Sequence, residues 1–254
     1  MKSLLWVIAA LALFTSMAKS ASLSDAELAR IGHKVWINEC DGTISGLTSW
    51  NEGEAFASLG IGHFIWYPAD RPGPFEESFP PLIRYLAAHR ATPPAWMYGA
   101  CPWVTRADFM AAQESGRMKT LRNLLASTLP LQARFLALRM HDALPKMLAT
   151  TSADQATLIR HNFARLEASG PGTFALIDYV NFKGEGTLET ERYNGQGWGL
   201  LQVLEAMPPD GNAVREFSQA AKAVLARRVR NSPPARDEAR WLPGWDARVE
   251  RYVE

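Results

Sequence analysis

Apolar positions recur at helical spacing in SDAELARIGHKVWINE, where Leu28, Ile31 and Val35 share one face. Ser24 and Glu27 have the spacing of a capping box, which predicts a helix starting at Ser24 and stopping near Glu39. Between Asp41 and Tyr67 the helical period disappears. Glycines recur at 42, 46, 53, 60 and 62, with Thr, Ile, Leu, Phe and Trp filling the intervals, so this stretch predicts a small hairpin or meander. Prolines at 68, 72, 74, 80 and 81 punctuate a loop, and residues 82–89 resume a helical pattern.

Everything beyond reads as mostly helical. Thr105 with Asp108 and Ser152 with Gln155 predict two further N-caps, and the apolar-periodic run over 131–148 is interrupted only by Pro145. After Gly170, Pro171 and Gly172 comes FALIDYVNFKGEG, an apolar helix with a glycine stop at Gly184. The polar loop ERYNGQG leads into WGLLQVLEAM, residues 212–230 form a basic helix, and the tail RWLPGWDARVERYV is expected to pack back on the core. The predicted class is α+β, a small sheet near the N-terminus with many helices around it.

Lys2, the apolar run over 4–14 and small residues Ala18 and Ser20 predict a secretory signal peptide, residues 1–20, cleaved before Ala21. An uncleaved anchor is the alternative, although the run is shorter than a bilayer span. No later segment is long and apolar enough to span, so no stable membrane span is expected after cleavage. Removing twenty of 254 residues leaves about 234, which fits a single domain, residues 21–254, with an enlarged helical middle over about 68–169. The expected location is the periplasm or the exterior. The formal charge of +1, with acids and bases intermixed, gives no footprint for nucleic acid. Weakly acidic and neutral polymers are equally compatible partners. Cys40 and Cys101 both lie in the exported part, which predicts a disulfide worth roughly 3 to 5 kcal/mol if unstrained. Two separate buried thiols are the alternative.

The candidate chemistry lies between Ile37 and His63. Glu39 stands where a helix meets a hairpin, and Trp36, Ile37 and Trp50 would give it an apolar setting of the kind that suits a general acid. The plain alternative is a solvated helix-terminal glutamate. Glu52 lies on the turn before the second strand, with Glu54 a competitor two residues on. Two acids on rigid elements can divide acid and base work on one bond, which points to glycoside hydrolysis. Ser58 precedes LGIGH, where Gly60 and Gly62 would admit a ligand close to the backbone and His63 would orient a carboxylate. Trp50 and the loop carrying Tyr193, Asn194, Gln196 and Trp198 add candidate sugar contacts. The five histidines are scattered, no HExxH or CxxC spacing occurs and no GxSxG elbow is present. Neither a metal nor a cofactor is expected.

These residues resemble the phage-type lysozymes, the glycoside hydrolase family represented by the T-even phage lysozyme. That family carries a Glu at a helix end, an acid on a hairpin and a threonine opening a TIGIGH-like segment. INEC supplies Glu39; WNEGEAFASLGIGH aligns without gaps and supplies Glu52, Ser58 and His63; and ALIDYVNFKGEG resembles the family's ALINMVFQMG helix. The chain departs from the pattern at Glu52 in place of Asp, at Ser58 in place of Thr, in about four extra residues after Glu39 and in its long middle. The resemblance implies a lysozyme-like fold and a muramidase-like hydrolase acting on peptidoglycan or a related polysaccharide. Glu39 would be the acid, Glu52 would polarise water or stabilise the ring cation, and Ser58 would position that water. The alternatives are a lytic transglycosylase using Glu39 alone, an inactive glycan-binding or interaction module, and an amidase or peptidase acting on peptide stems.

Overall fold

Helix α1 (Asp25–Cys40) starts at the expected box: Ser24 Oγ accepts from the Glu27 N–H at 3.3 Å and Glu27 Oε2 accepts from the Ser24 N–H at 2.9 Å. The computed structural model describes residues 24–73 and 75–254, so the expected signal peptide lies outside the described residues. Leu28, Ile31 and Val35 are all buried, as their spacing requires. The helix stops because Asp41 and Gly42 adopt left-handed backbone, φ 51° and 64°, which breaks the ladder. Thr43 Oγ1 then donates to the freed Cys40 carbonyl at 3.0 Å.

Strands β1 (Thr48–Ser49), β2 (Ala57–Leu59) and β3 (Phe64–Trp66) form an antiparallel meander in that order. Ser58 pairs with Ser49 on one side and Ile65 on the other. Among the described residues, eight α-helices precede the C-terminal pair: α1 is followed by α2 (Phe79–Ala88), α3 (Arg106–Ala111), α4 (Gly116–Ser127), α5 (Leu129–Ala149), α6 (Ala153–Glu167), α7 (Gly170–Lys183) and, after hairpin β4–β5 (Arg192–Tyr193, Gln196–Gly197), α8 (Leu200–Ala206). Then come α9 (Ala213–Asn231) and α10 (Leu242–Glu250). The fold is α+β, mostly helical with its small sheet near the N-terminus. Pro80 and Pro81 stand in the first turn of α2 rather than in the loop, where a missing N–H has no ladder partner to lose. Pro145 lies inside α5 without ending it.

One contiguous cluster of buried apolar side chains extends from Leu28 to Tyr252. Its centre is α7, which packs on α1, α5, α6, α8 and α9. Every residue from Gly172 to Val180 is buried, which is what an all-round apolar helix demands. Full burial of side chains such as Leu176 and Ile177 contributes roughly 1.5 to 3 kcal/mol each. The tail returns to this core through Val249 and Tyr252. Among the described residues, no helix is long and apolar enough to cross a membrane.

The expected disulfide is absent: Cys40 and Cys101 are both free and buried. The fold holds them at different ends of β3. Cys40 Sγ lies 3.5 Å from the Gly60 carbonyl, ahead of the strand, whereas the Cys101 N–H donates to the Tyr67 carbonyl at 2.9 Å just beyond it. Burial pushes both thiols up to about 12, so they behave as small apolar groups. The two glycines of GIGH also serve the core. A Cβ on Gly60 would come within 2.4 Å of Gln132 Oε1, and one on Gly62 within 2.7 Å of the Phe64 ring. Gln132 Oε1 accepts from the intervening Ile61 N–H at 3.0 Å, so the close approach is to α5 and not to a ligand surface.

Candidate functional site

The last turn of α1 delivers Glu39 to a cleft of about 630 Å³, lined also by Asn51, Glu54, Phe182, Arg228, Arg236, Glu238, Trp241, Trp245 and Arg248. That volume lies in the range of small-ligand sites. Glu39 keeps only 11% of its side-chain surface exposed. The expected apolar setting is not what surrounds it, because Ile37 is exposed, Trp36 donates to the Thr43 carbonyl and Trp50 is buried against Phe109. Its partners are polar instead. Arg248 Nη2 donates to Glu39 Oε1, Asn181 Nδ2 donates to the same oxygen at 3.2 Å, and His63 Nδ1 lies 3.3 Å from Oε2. His63 reaches it from a left-handed turn, φ 44°, and its Nε2 is buried without a hydrogen-bond partner.

Behind Glu39 stands a second, wholly buried carboxylate. Asp178, the one acid within the buried stretch of α7, receives Arg248 bidentately, Nε to Oδ2 and Nη2 to Oδ1, both at 2.8 Å. Tyr252 Oη donates to Oδ2 at 2.7 Å and Asn38 Nδ2 to Oδ1 at 3.3 Å. Burial opposes ionisation of Asp178, but the Arg248 charge and the bonds from Arg248, Tyr252 and Asn38 outweigh it and hold the carboxyl below its ordinary value. Arg248 in turn is held well above its ordinary value, burial being outweighed by Asp178 and Glu39. The C-terminal segment is thereby tied to α7 and to the end of α1 through one guanidinium. Both oxygens of Asp178 are engaged, which fixes a single arrangement of the guanidinium and carboxylate in this part of the core.

Of the two hairpin acids, Glu54 lines the cleft with Glu39, and Glu52 is not among its lining residues. Residues 51–54 form a turn closed by the Glu54 N–H on the Asn51 carbonyl at 3.3 Å, with Gly53 at φ 82°, the conformation a type II turn needs at its third position. The turn sends Glu52 to its tip, exposed and away from the cleft, and returns Glu54 toward it. Strand alternation does not apply to a turn, so the two side chains part. Asn51 Nδ2 donates to Glu54 Oε2 at 3.1 Å and Ser58 Oγ to the same oxygen at 3.3 Å. Ser58 is buried on β2 and serves Glu54. Trp50 is a core residue whose Nε1 donates to the Glu54 carbonyl at 2.8 Å, which fixes the turn but presents no ring to the cleft.

The expected sugar contacts on the ERYNGQG loop are also redistributed. Asn194 occupies the exposed turn of hairpin β4–β5 at φ 51°, Gln196 lines a different cavity, and Trp198 is buried. Trp198 reaches the cleft only indirectly, with the Arg228 guanidinium 4.1 Å above its ring. Arg228 is pinned by buried Glu238, Nε to Oε2 at 2.8 Å and Nη2 to Oε1 at 2.9 Å. The aromatic surface of the cleft comes from Trp241, half exposed, Trp245 and Phe182. Lys183 Nζ packs 3.6 Å from the Trp245 ring centre and 3.9 Å from that of Phe182. Burial and then the charges of Arg228 and Arg248 push its ammonium well below the ordinary lysine value.

Asp178, Asn181, Arg248 and Tyr252 carried a partial signal in the chain. A lone acid in the apolar run ALIDYV demands a cation, and Arg248 and Tyr252 stand four apart in a tail already expected to dock. Among the described residues, no group of three or more His, Cys, Asp or Glu is placed to hold a metal ion. No family model, curated protein or solved structure matches this chain.

Proposed function

We propose that this chain cleaves the glycan strands of peptidoglycan, in the periplasm or outside the cell, by carboxylate acid–base catalysis. Support comes chiefly from one juxtaposition: Glu39 at a helix end and Glu54 at a hairpin turn line the same aromatic-walled cleft. Glu39 delivers a proton to the glycosidic oxygen, oriented by His63, Asn181 and Arg248. Glu54, steadied by Asn51 and Ser58, polarises the attacking water or stabilises positive charge on the ring. Trp241 and Trp245 offer faces on which sugar rings can stack. Glu54 takes the part that the lysozyme resemblance assigns to Glu52.

The test is digestion of purified peptidoglycan by the full chain, read by mass spectrometry of the released fragments. Reducing ends are expected, with loss of product in both Glu39→Gln and Glu54→Gln. Anhydro-sugar ends with Glu54→Gln still active would replace hydrolysis by transglycosylation on Glu39 alone. Absence of any fragment from the unaltered protein across several pH values would overturn glycan cleavage and leave a binding module.

A further inference from the structure

Hairpin β4–β5 and helix α9 separate the Glu39 cleft from a second cavity of about 270 Å³, lined by Arg192, Gln196, Gln202, Glu205 and Arg227. Neighbouring residues part across this wall. Tyr193 donates to Glu238 and Arg228 pairs with it on the cleft side, while Arg192 and Arg227, one position earlier in each element, line the second cavity. Alternation along a strand and the helical rotation between adjacent residues account for the split.

The two guanidinium groups there are short of acceptors. Each carries five N–H donors, yet among the described residues the directed hydrogen bond they make is Arg227 Nη2 to the Gly197 carbonyl at 3.2 Å. Arg192 Nε has Glu189 at 3.5 Å without hydrogen-bond geometry, and the Nε atoms of both arginines are buried and unpartnered. Such orphaned donors in a native fold ask for a missing water or ion. The amide of Gln202 cannot answer, since it is engaged with the Gly199 N–H at 2.9 Å and the Gly186 carbonyl at 3.1 Å. Gly195 at the hairpin turn leaves the rim open, with nothing within 4 Å of where a Cβ would stand.

We infer that this second cavity binds a compact oxyanion, a carboxylate or a phosphate, between Arg192 and Arg227. Planar guanidinium groups present paired donors that match such oxygens bidentately. Glu205 is the anion already at the wall, bonded at 3.4 Å by Gln155 Nε2. Burial raises its carboxyl above the ordinary value, against the lowering influence of Arg227 and Arg192, and its negative charge is the element an incoming anion has to compete with. The site is independent of glycan cleavage in the first cleft.

Calorimetric titration of the full chain with inorganic phosphate, and separately with acetate, at constant ionic strength set by chloride, tests this. Saturable one-site binding of at least one of them is expected, and the tighter of the two identifies the source of the oxyanion. Arg192→Gln and Arg227→Gln should each weaken it about tenfold to a hundredfold, the worth of a charge-assisted hydrogen bond, while Arg30→Gln on exposed α1 should not. Glu205→Gln should tighten binding several-fold, which keeps a readout if an arginine variant fails to fold. Titration heats with no saturation for either anion, or binding indifferent to Arg192, Arg227 and Glu205, would overturn the assignment.

Discussion

Glu54 and Glu39, two of the acids lining the cleft, are held in contrasting ways. Glu54 takes its partners from within four residues, Asn51 and Ser58, on a turn and strand whose geometry a short segment dictates. Glu39 takes its partners from far along the chain, Asn181 at a separation of 142 and Arg248 at 209. Its backbone position is local, the last turn of α1, but its side-chain orientation exists only after α7 and the tail have docked. The hairpin acid therefore depends on turn chemistry and the helix acid on global folding, and substitutions should separate the two dependencies.

The largest effect is expected at Glu39, the proposed acid. Glu39→Gln should lower the cleavage rate by about 10² to 10⁴, the usual contribution of a general acid, with some loss of stability as well, because buried Arg248 keeps only one of its two carboxylate partners. A comparable rate in steady-state turnover on soluble glycan fragments would remove Glu39 from the chemistry.

Next comes the buried pair behind it. Asp178→Ala should destabilise by about 3 to 5 kcal/mol, because Arg248 loses its bidentate partner in the interior, and activity should fall with it. Asp178 has a folded value below its ordinary one, so its contribution is complete above the usual carboxylate pKa of about 3.9 and is lost as pH falls through the lower, folded value. Urea titrations across pH should thus show the gap between wild type and variant constant near neutrality and closing only in acid. A gap that closes between pH 5 and 7 would contradict the ion pair.

A smaller loss belongs to the local side. Ser58→Ala removes one of the two bonds to Glu54 and should cost about 0.5 to 1.5 kcal/mol in stability, with a decline in rate and no change in the Glu39 network. Crystallographic or NMR evidence that His63 and Asn181 shift in Ser58→Ala would mean that the two halves are not separate. The least effect is expected at the turn tip: Glu52→Gln should stay within about 0.5 kcal/mol and leave the rate unchanged. A loss of rate at Glu52 to match that at Glu54 would restore it as the second acid.

Much of the fold was legible because its signals are short-range. The boxes at Ser24, Thr105 and Ser152 all form, and Gly184 ends α7 with φ 78°. The same locality explains the errors. Glu52 reads as lying on a turn, and it does, but Gly53 at φ 82° leaves it at the exposed tip while Glu54 lines the cleft. Gly60 and Gly62 read as room for a ligand, yet Gln132 and Phe64 occupy that room from the core side. Trp50 and Trp198 have the composition of sugar platforms, but both rings are buried, while the exposed ring at the cleft belongs to Trp241 in the tail. Two cysteines in a chain read as exported suggest a bridge that the placement of Gly60 and Tyr67 at opposite ends of β3 denies.

By itself the chain determined the capped starts of α1, α3 and α6, the glycine stop of α7, the meander after α1 and the presence of Glu39 at a helix terminus, since caps, glycine turns and apolar periodicity act over a few residues. Only tertiary structure decided which acid lines the cleft with Glu39, that Arg248, held by Asp178, pairs with it, and that Arg192 and Arg227 open on a separate cavity. Those outcomes depend on packing among segments far apart in sequence, where no local spacing records which side chain will meet which. A buried charge announces that a partner must exist, and only the folded chain supplies its address.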